Sequence, residues 1–116
     1  MIQPLTPLIR SFEEGEPYTQ DEADGASFRW LLKKDEVTGL QMGLVELKGP
    51  IHKKPASHGQ WEQVYLIFSG SGTIHLGRDS RHVSGCAIVV IPRNTTHSVE
   101  LQAGEMMQYV YVNQYN

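Results

Sequence analysis

The chain has 116 residues, 40% apolar and 20% charged, with a net charge of −3. That balance fits one soluble globular domain with a modest core, and it excludes a disordered or fibrous chain. Lysines and arginines are scattered, so nucleic acid and acidic membrane surfaces are not expected partners, and the single Cys86 rules out an internal disulfide or a Cys-rich zinc site.

The N-terminal MIQPLTPLIR lacks the basic start and continuous apolar core of a signal peptide. The longest apolar run, Cys86 to Ile91, is far too short to cross a bilayer as a helix. The expected location is the cytoplasm. Residues 13–25, EEGEPYTQDEADG, are acidic and rich in turn formers, and read as a solvated loop closing an N-terminal arm over 1–25.

Strand patterns follow. Phe28, Trp30 and Leu32 alternate with Arg29 and Leu31, and Leu40, Met42 and Leu44 alternate ahead of Val45 and Leu47. Further runs are Val64–Phe68, Thr73–Leu76, Ala87–Ile91, His97–Leu101 and Met106–Val112. Each is short, period-two or continuously apolar, and most are closed by Gly, Pro, Asn or Asp. No segment carries a helical period. The expected fold class is all-β, an antiparallel sandwich or barrel. Val64–Phe68 and Met106–Val112 are apolar on both faces, so one face needs cover. The apolar N-terminal positions Ile2, Leu5, Leu8 and Ile9 or a second subunit would supply it, and a homodimer is expected.

Two stretches carry a resemblance. WEQVYLIFSGSGTIHLG followed by SGCAIVVIPRNTTHSV resembles the paired motifs of the cupin superfamily, over roughly residues 40–112. The second motif is the cleaner match: Gly85, Pro92, Asn94 and His97 fall in order, with Asn94 where glycine is usual and Leu101 where asparagine is usual. Asparagine tolerates the left-handed backbone that such a turn needs. The resemblance implies a small single-domain jelly-roll barrel.

In the first motif, counting back from Gly70 and forward from His58 both lead to Gln63 at the carboxylate-ligand position. Side chains alternate along a strand, so Gln63, Tyr65 and Ile67 face inward and Glu62 faces out. The resemblance then implies a metal site of His58, Gln63 and His97, with Ala56 at the position of the missing first histidine. Two imidazoles and an amide carbonyl suit Zn, Ni, Fe or Mn. His52 shares the parity of Ala56 and His58. Six residues of strand put it roughly 20 Å from His58, so it reaches the site only through a sharp fold-back. His75 and His82 are expected outside the site.

Trp30, Met42, Tyr65, Ile67 and Tyr109 are the candidate cavity-wall residues, with ordinary core as the competing reading. Trp61 would cap the mouth or cover the barrel edge. Cys86 is expected to be a buried, inert thiol. Candidate general bases are Tyr65, Tyr109, or Glu46 if it turns inward, and no lysine is expected in the site. The functional expectation is a small metal-binding cupin that acts on or binds a small oxygen-rich molecule. A non-enzymatic ligand binder and a metal-free cupin are the alternatives.

Overall fold

The computed structural model describes residues 6–19 and 25–115. Ile2 and Leu5 of the N-terminal arm, and positions 20–24 of the acidic loop, lie outside the described residues. The strands are β1 Glu16–Tyr18, β2 Ala26–Val37, β3 Leu40–Lys48, β4 Ile51–His52, β5 Glu62–Leu76, β6 Asp79–Ser84, β7 Ala87–Ile91, β8 His97–Leu101 and β9 Met106–Gln114. All the pairings are antiparallel. The architecture is all-β and antiparallel, as the strand pattern implies, and a jelly-roll barrel, as the resemblance implies.

One sheet runs β1-β2-β3-β9-β5-β7 and the other runs β6-β5-β8-β4. Strand β5 belongs to both. Its first half pairs with β7 and β9, its second half with β6 and β8. The corner lies at a register shift between Ile67 and Ser69, followed by Gly70 at φ 94°. A Cβ on Gly70 would sit 1.9 Å from the Met106 carbonyl oxygen, so both the dihedral and the close approach require glycine.

Alternation along the strands sets the core. Phe28, Val45, Leu47, Ile67, Ile74, Val99, Leu101 and Met107 are buried between the sheets. Each such side chain is worth about 1.5–3 kcal/mol of transfer free energy. Leu31, Leu44 and Val110 form a second cluster on the outer face, with Met42 and Val112 against it. The register shift between Trp30 and Leu32 puts Leu31 into this outer cluster while Trp30 stays with the inner one.

Two elements fall where a loop or turn is expected. Residues 13–25 contain β1, and a 3-10 turn over Phe12–Glu14 is capped reciprocally by Ser11 and Glu14. Strand β6 is largely exposed and polar, so its sequence carries no apolar alternation. Cys86 is exposed, not buried, because it sits in the turn between Gly85 and β7, outside the barrel. Among the described residues no helix is long and apolar enough to cross a membrane.

Candidate functional site

A cavity of about 310 Å³ opens between the sheets. The inward faces of β2, β3, β5, β8 and β9 form its wall, and side chains from the segment 53–61 form its rim. The rim is stapled to β8 by backbone. Ala56 N–H donates to the His97 carbonyl and His97 N–H to the Ala56 carbonyl, both at 2.9 Å, and Lys53 N–H donates to the Val99 carbonyl at 3.1 Å. Asn94, at φ 62°, donates its N–H to the His58 carbonyl at 2.7 Å. The left-handed turn of the second motif therefore holds the histidine of the first.

These bonds bring His58 and His97 together, with ring centroids 5.0 Å apart. His97 is buried, and its Nδ1 lies 3.0 Å from the Thr95 carbonyl oxygen. A carbonyl only accepts, so Nδ1 carries the hydrogen, and Nε2 is the ring nitrogen that can offer a lone pair to a metal. His58 stacks on Trp61 at 4.5 Å. Burial, and secondarily the proximity of His97, push the His58 pKa below the ordinary histidine value. Its ring is therefore neutral at neutral pH.

Gln63 is 7% exposed and Glu62 is exposed, which is the orientation that the motif count predicts. The Gln63 amide is held by a polar chain. Its Nε2 donates to Asn113 Oδ1 at 2.8 Å, Asn113 Nδ2 donates to Gln41 Oε1 at 3.0 Å, and the Tyr115 hydroxyl donates to the same Gln41 oxygen at 2.8 Å. With Gln41 Oε1 accepting, Asn113 must turn its own oxygen towards Gln63. The Gln63 Oε1 is left over: buried, on a cavity-wall side chain, with no hydrogen-bond partner among the described residues. The indole N–H of Trp61 is buried and unpartnered in the same sense. Buried polar groups without partners are rare, and each asks for an occupant.

Four tyrosines extend the polar surface. Tyr65 packs on Tyr109 at 4.5 Å and edge-on to His97 at 6.3 Å. The Tyr18 and Tyr111 hydroxyls lie 2.7 Å apart. Gly43 makes room for Tyr111, since a Cβ there would stand 2.3 Å from its ring. Burial pushes the Tyr65 pKa up to about 12 and also raises those of Tyr109 and Tyr111. At neutral pH these phenols are protonated, so they donate hydrogen bonds and do not act as bases.

The expected wall residues divide. Trp30, Tyr65 and Tyr109 line the cavity together with His58, Gln63 and His97. Met42 does not: it lies on the outer face of β3 against Leu31, Leu44 and Val110. The inward positions of β3 are Gln41, Gly43, Val45 and Leu47, one residue out of phase with Leu40, Met42 and Leu44. Ile67 faces inward but is fully buried core, beyond the cavity wall. Glu46 shares the outward parity of Met42 and accepts a hydrogen bond from Gln108 at 2.7 Å, so it cannot serve as a base in the cavity. His52 is exposed and packs against His75, whose ring bonds Ser80 and Glu100 on the outer surface. His82 pairs with Glu105.

Four functional candidates are absent from the sequence reading. Lys53 and Lys54 line the cavity, where no lysine is expected. They lie in a Pro-flanked segment with no periodicity to assign a face. Gln41 and Asn113 were findable as the inward-parity neighbours of Gly43 and Tyr111. Among the described residues no group of three or more His, Cys, Asp or Glu could hold a metal ion. A metal here would have to use the two imidazoles and the Gln63 amide.

No protein-family model and no curated protein matches the sequence. Solved structures do. A predicted oxalate decarboxylase from Thermotoga maritima superposes with a TM-score of 0.83 at 15% identity, over 94% of this chain and all of the other. The polyketide cyclase RemF from Streptomyces resistomycificus gives 0.80 at 18% identity, over 94% of this chain and 80% of its own. A cupin-2 domain from Rhodospirillum rubrum gives 0.74 at 18% identity, over 99% and 78%. The chain has the cupin fold. At these identities the likeness extends to the fold and no further.

Proposed function

We propose that the cavity binds a divalent transition metal through His58, Gln63 and His97 and holds a small oxygen-rich molecule beside it. The observation that carries this reading is the unpartnered Gln63 Oε1, oriented by Asn113, on the same wall as a His97 ring whose Nε2 can offer a lone pair. The spacing of the rings supports it. With metal–nitrogen bonds of about 2.0–2.1 Å, two imidazoles on one ion have centroids about 4.5–5 Å apart, and these stand at 5.0 Å. The depressed pKa of His58 also favours the neutral ring that ligation requires. Imidazole and amide donors suit Zn, Ni, Fe or Mn.

When bound, the metal would supply open coordination positions that polarise a carbonyl or hydroxyl. The chain's own part is to bind and orient. The hydrogen-bonded Tyr65–Tyr109 and Tyr18–Tyr111 pairs each leave one hydroxyl hydrogen to donate, Val45 and Val99 exclude water, and Gln63 is held in one amide orientation. A binding role is favoured over acid–base catalysis by one specific observation: no Asp or Glu lines the cavity among the described residues, and the phenols stay protonated. The Thermotoga neighbour is described as a predicted oxalate decarboxylase and RemF as a cyclase, so both are catalytic by their descriptions, and the preference for binding rests on this chain's own lining.

We also read the chain as a homodimer. Leu66, Phe68, Ile88 and Val90 are exposed on adjacent strands β5 and β7, a contiguous apolar face suited to a second copy. Light scattering at micromolar concentration should return twice the chain mass, and Ile88→Lys should shift it to the monomer.

The test of the metal reading is calorimetric titration of EDTA-treated, untagged protein with Zn, Ni and Mn salts. One ion per chain is expected, lost in His97→Ala and weakened at least tenfold in Gln63→Leu, while His52→Ala stays unchanged. Equal loss in His52→Ala and His97→Ala would refute the assignment.

A further inference from the structure

We propose that the molecule held in this cavity is a small organic carboxylate, an inference that rests on the cavity being a ligand site and that adds its charge class. The argument is electrostatic. Lys53 and Lys54 both line the cavity, and among the described residues neither an aspartate nor a glutamate does. The chain as a whole is acidic, at −3, whereas the lysine and carboxylate side chains that line the cavity among the described residues are Lys53 and Lys54 alone. Positive walls around a low-dielectric space concentrate an anion and strengthen its contacts.

The hydrogen-bonding inventory points the same way. The buried indole N–H of Trp61 lacks an acceptor among the described residues. The protonated Tyr65–Tyr109 pair shares one hydrogen bond and leaves one hydroxyl hydrogen to donate, and a carboxylate is an acceptor-only group that can take it together with the indole N–H. The ligand carries carbon as well as charge, because Phe28, Val45 and Val99 give the wall an apolar side. It is small: about 310 Å³ is at the lower end of the roughly 300–1,000 Å³ typical of small-molecule sites. The site is not built for phosphate. No arginine and no helix N-terminus lines the cavity among the described residues, and those are the features that grip phosphate oxygens.

The experiment pairs each acid with its uncharged amide. Pyruvate, malonate and succinate are titrated into the protein alongside pyruvamide, malonamide and succinamide, with inorganic phosphate as a further arm. Every titration is run on EDTA-treated and on metal-loaded samples, with metal content read on the same material. At least one acid is expected to bind tenfold or more tightly than its amide in both samples. Lys53→Gln/Lys54→Gln should erase most of that preference by weakening the acid more than its amide, and Trp61→Phe should weaken the acid. Amides binding as tightly as acids, phosphate binding tighter than every acid, an acid preference untouched by the double lysine change, or no binding by any acid would each overturn the proposal. Absence of metal with the acid preference intact would overturn the metal reading alone.

Discussion

Replacing Asn113 by leucine tests the polar chain behind Gln63. Asn113 is 5% exposed, so the change keeps burial and volume close while removing one acceptor and one donor. Gln41 Oε1 keeps its bond from Tyr115, so the loss there is one ordinary hydrogen bond, about 0.5–1.5 kcal/mol. Gln63 Nε2 loses its Asn113 acceptor and becomes a buried donor with nothing to bond, which costs about 1–3 kcal/mol. The single change should therefore destabilise by about 1.5–4.5 kcal/mol. Gln63→Leu should cost less, because it removes the unpartnered Oε1 along with the bond. The double change removes both members of the Gln63–Asn113 pair, so it should fall short of the summed single costs by about 1–3 kcal/mol. Urea denaturation in EDTA, with a shifted midpoint and an unchanged slope, measures each term. Costs that add to within about 0.5 kcal/mol would mean that Asn113 does not hold the Gln63 amide, and the orientation of Oε1 would lose its physical basis.

Acid should erode stability through two carboxylates. Hydrogen bonds from Arg10 hold Glu36 at about 2, and the Gln102 backbone N–H, with help from His82 and Ser71, holds Glu105 at about 2, both below the ordinary 4.5. Depressed folded-state values contribute stability above about pH 4.5 that is lost as pH falls towards 2, so urea midpoints should drop across that window and Glu105→Gln should flatten the drop. An unchanged slope in that variant would contradict the assignment. Gly70→Ala should destabilise by at least about 1–3 kcal/mol from its φ of 94° alone, before the contact with the Met106 carbonyl is counted, and a thermal midpoint within a degree of wild type would refute the corner geometry. Ile67→Ala should cost about 2–5 kcal/mol without changing ligand affinity, because Ile67 is core and not wall.

Much of the barrel is legible in the chain because its central strands are apolar and end in turn formers. Each of the strand patterns from Phe28 onward lies within a strand of the structure. The inward phase of β5 is legible for a stronger reason: Gly70 and His58 fix it independently at Gln63. Strand β3 is misread because a hollow barrel reverses the usual signal. Its inward face presents Gln41 to the cavity and Gly43 to the Tyr111 ring, and these look like surface residues, while Leu40, Met42 and Leu44 look like core but face outward. The polar strands β1 and β6 lack the pattern altogether. The lysines on the cavity wall come from an irregular rim whose course depends on backbone bonds from Ala56 and Lys53 to β8, which nothing local in the sequence encodes.

Anomalous diffraction across the Mn, Fe, Ni and Zn edges from crystals of the untagged protein tests the central claim most directly. The account predicts one peak in the cavity, about 2.0–2.2 Å from His97 Nε2, a His58 ring nitrogen and Gln63 Oε1, with open positions facing Lys53 and Lys54. A peak at the His52–His75 surface, or a cavity with Gln63 Oε1 bonded to water and no metal under saturating salt, would contradict it.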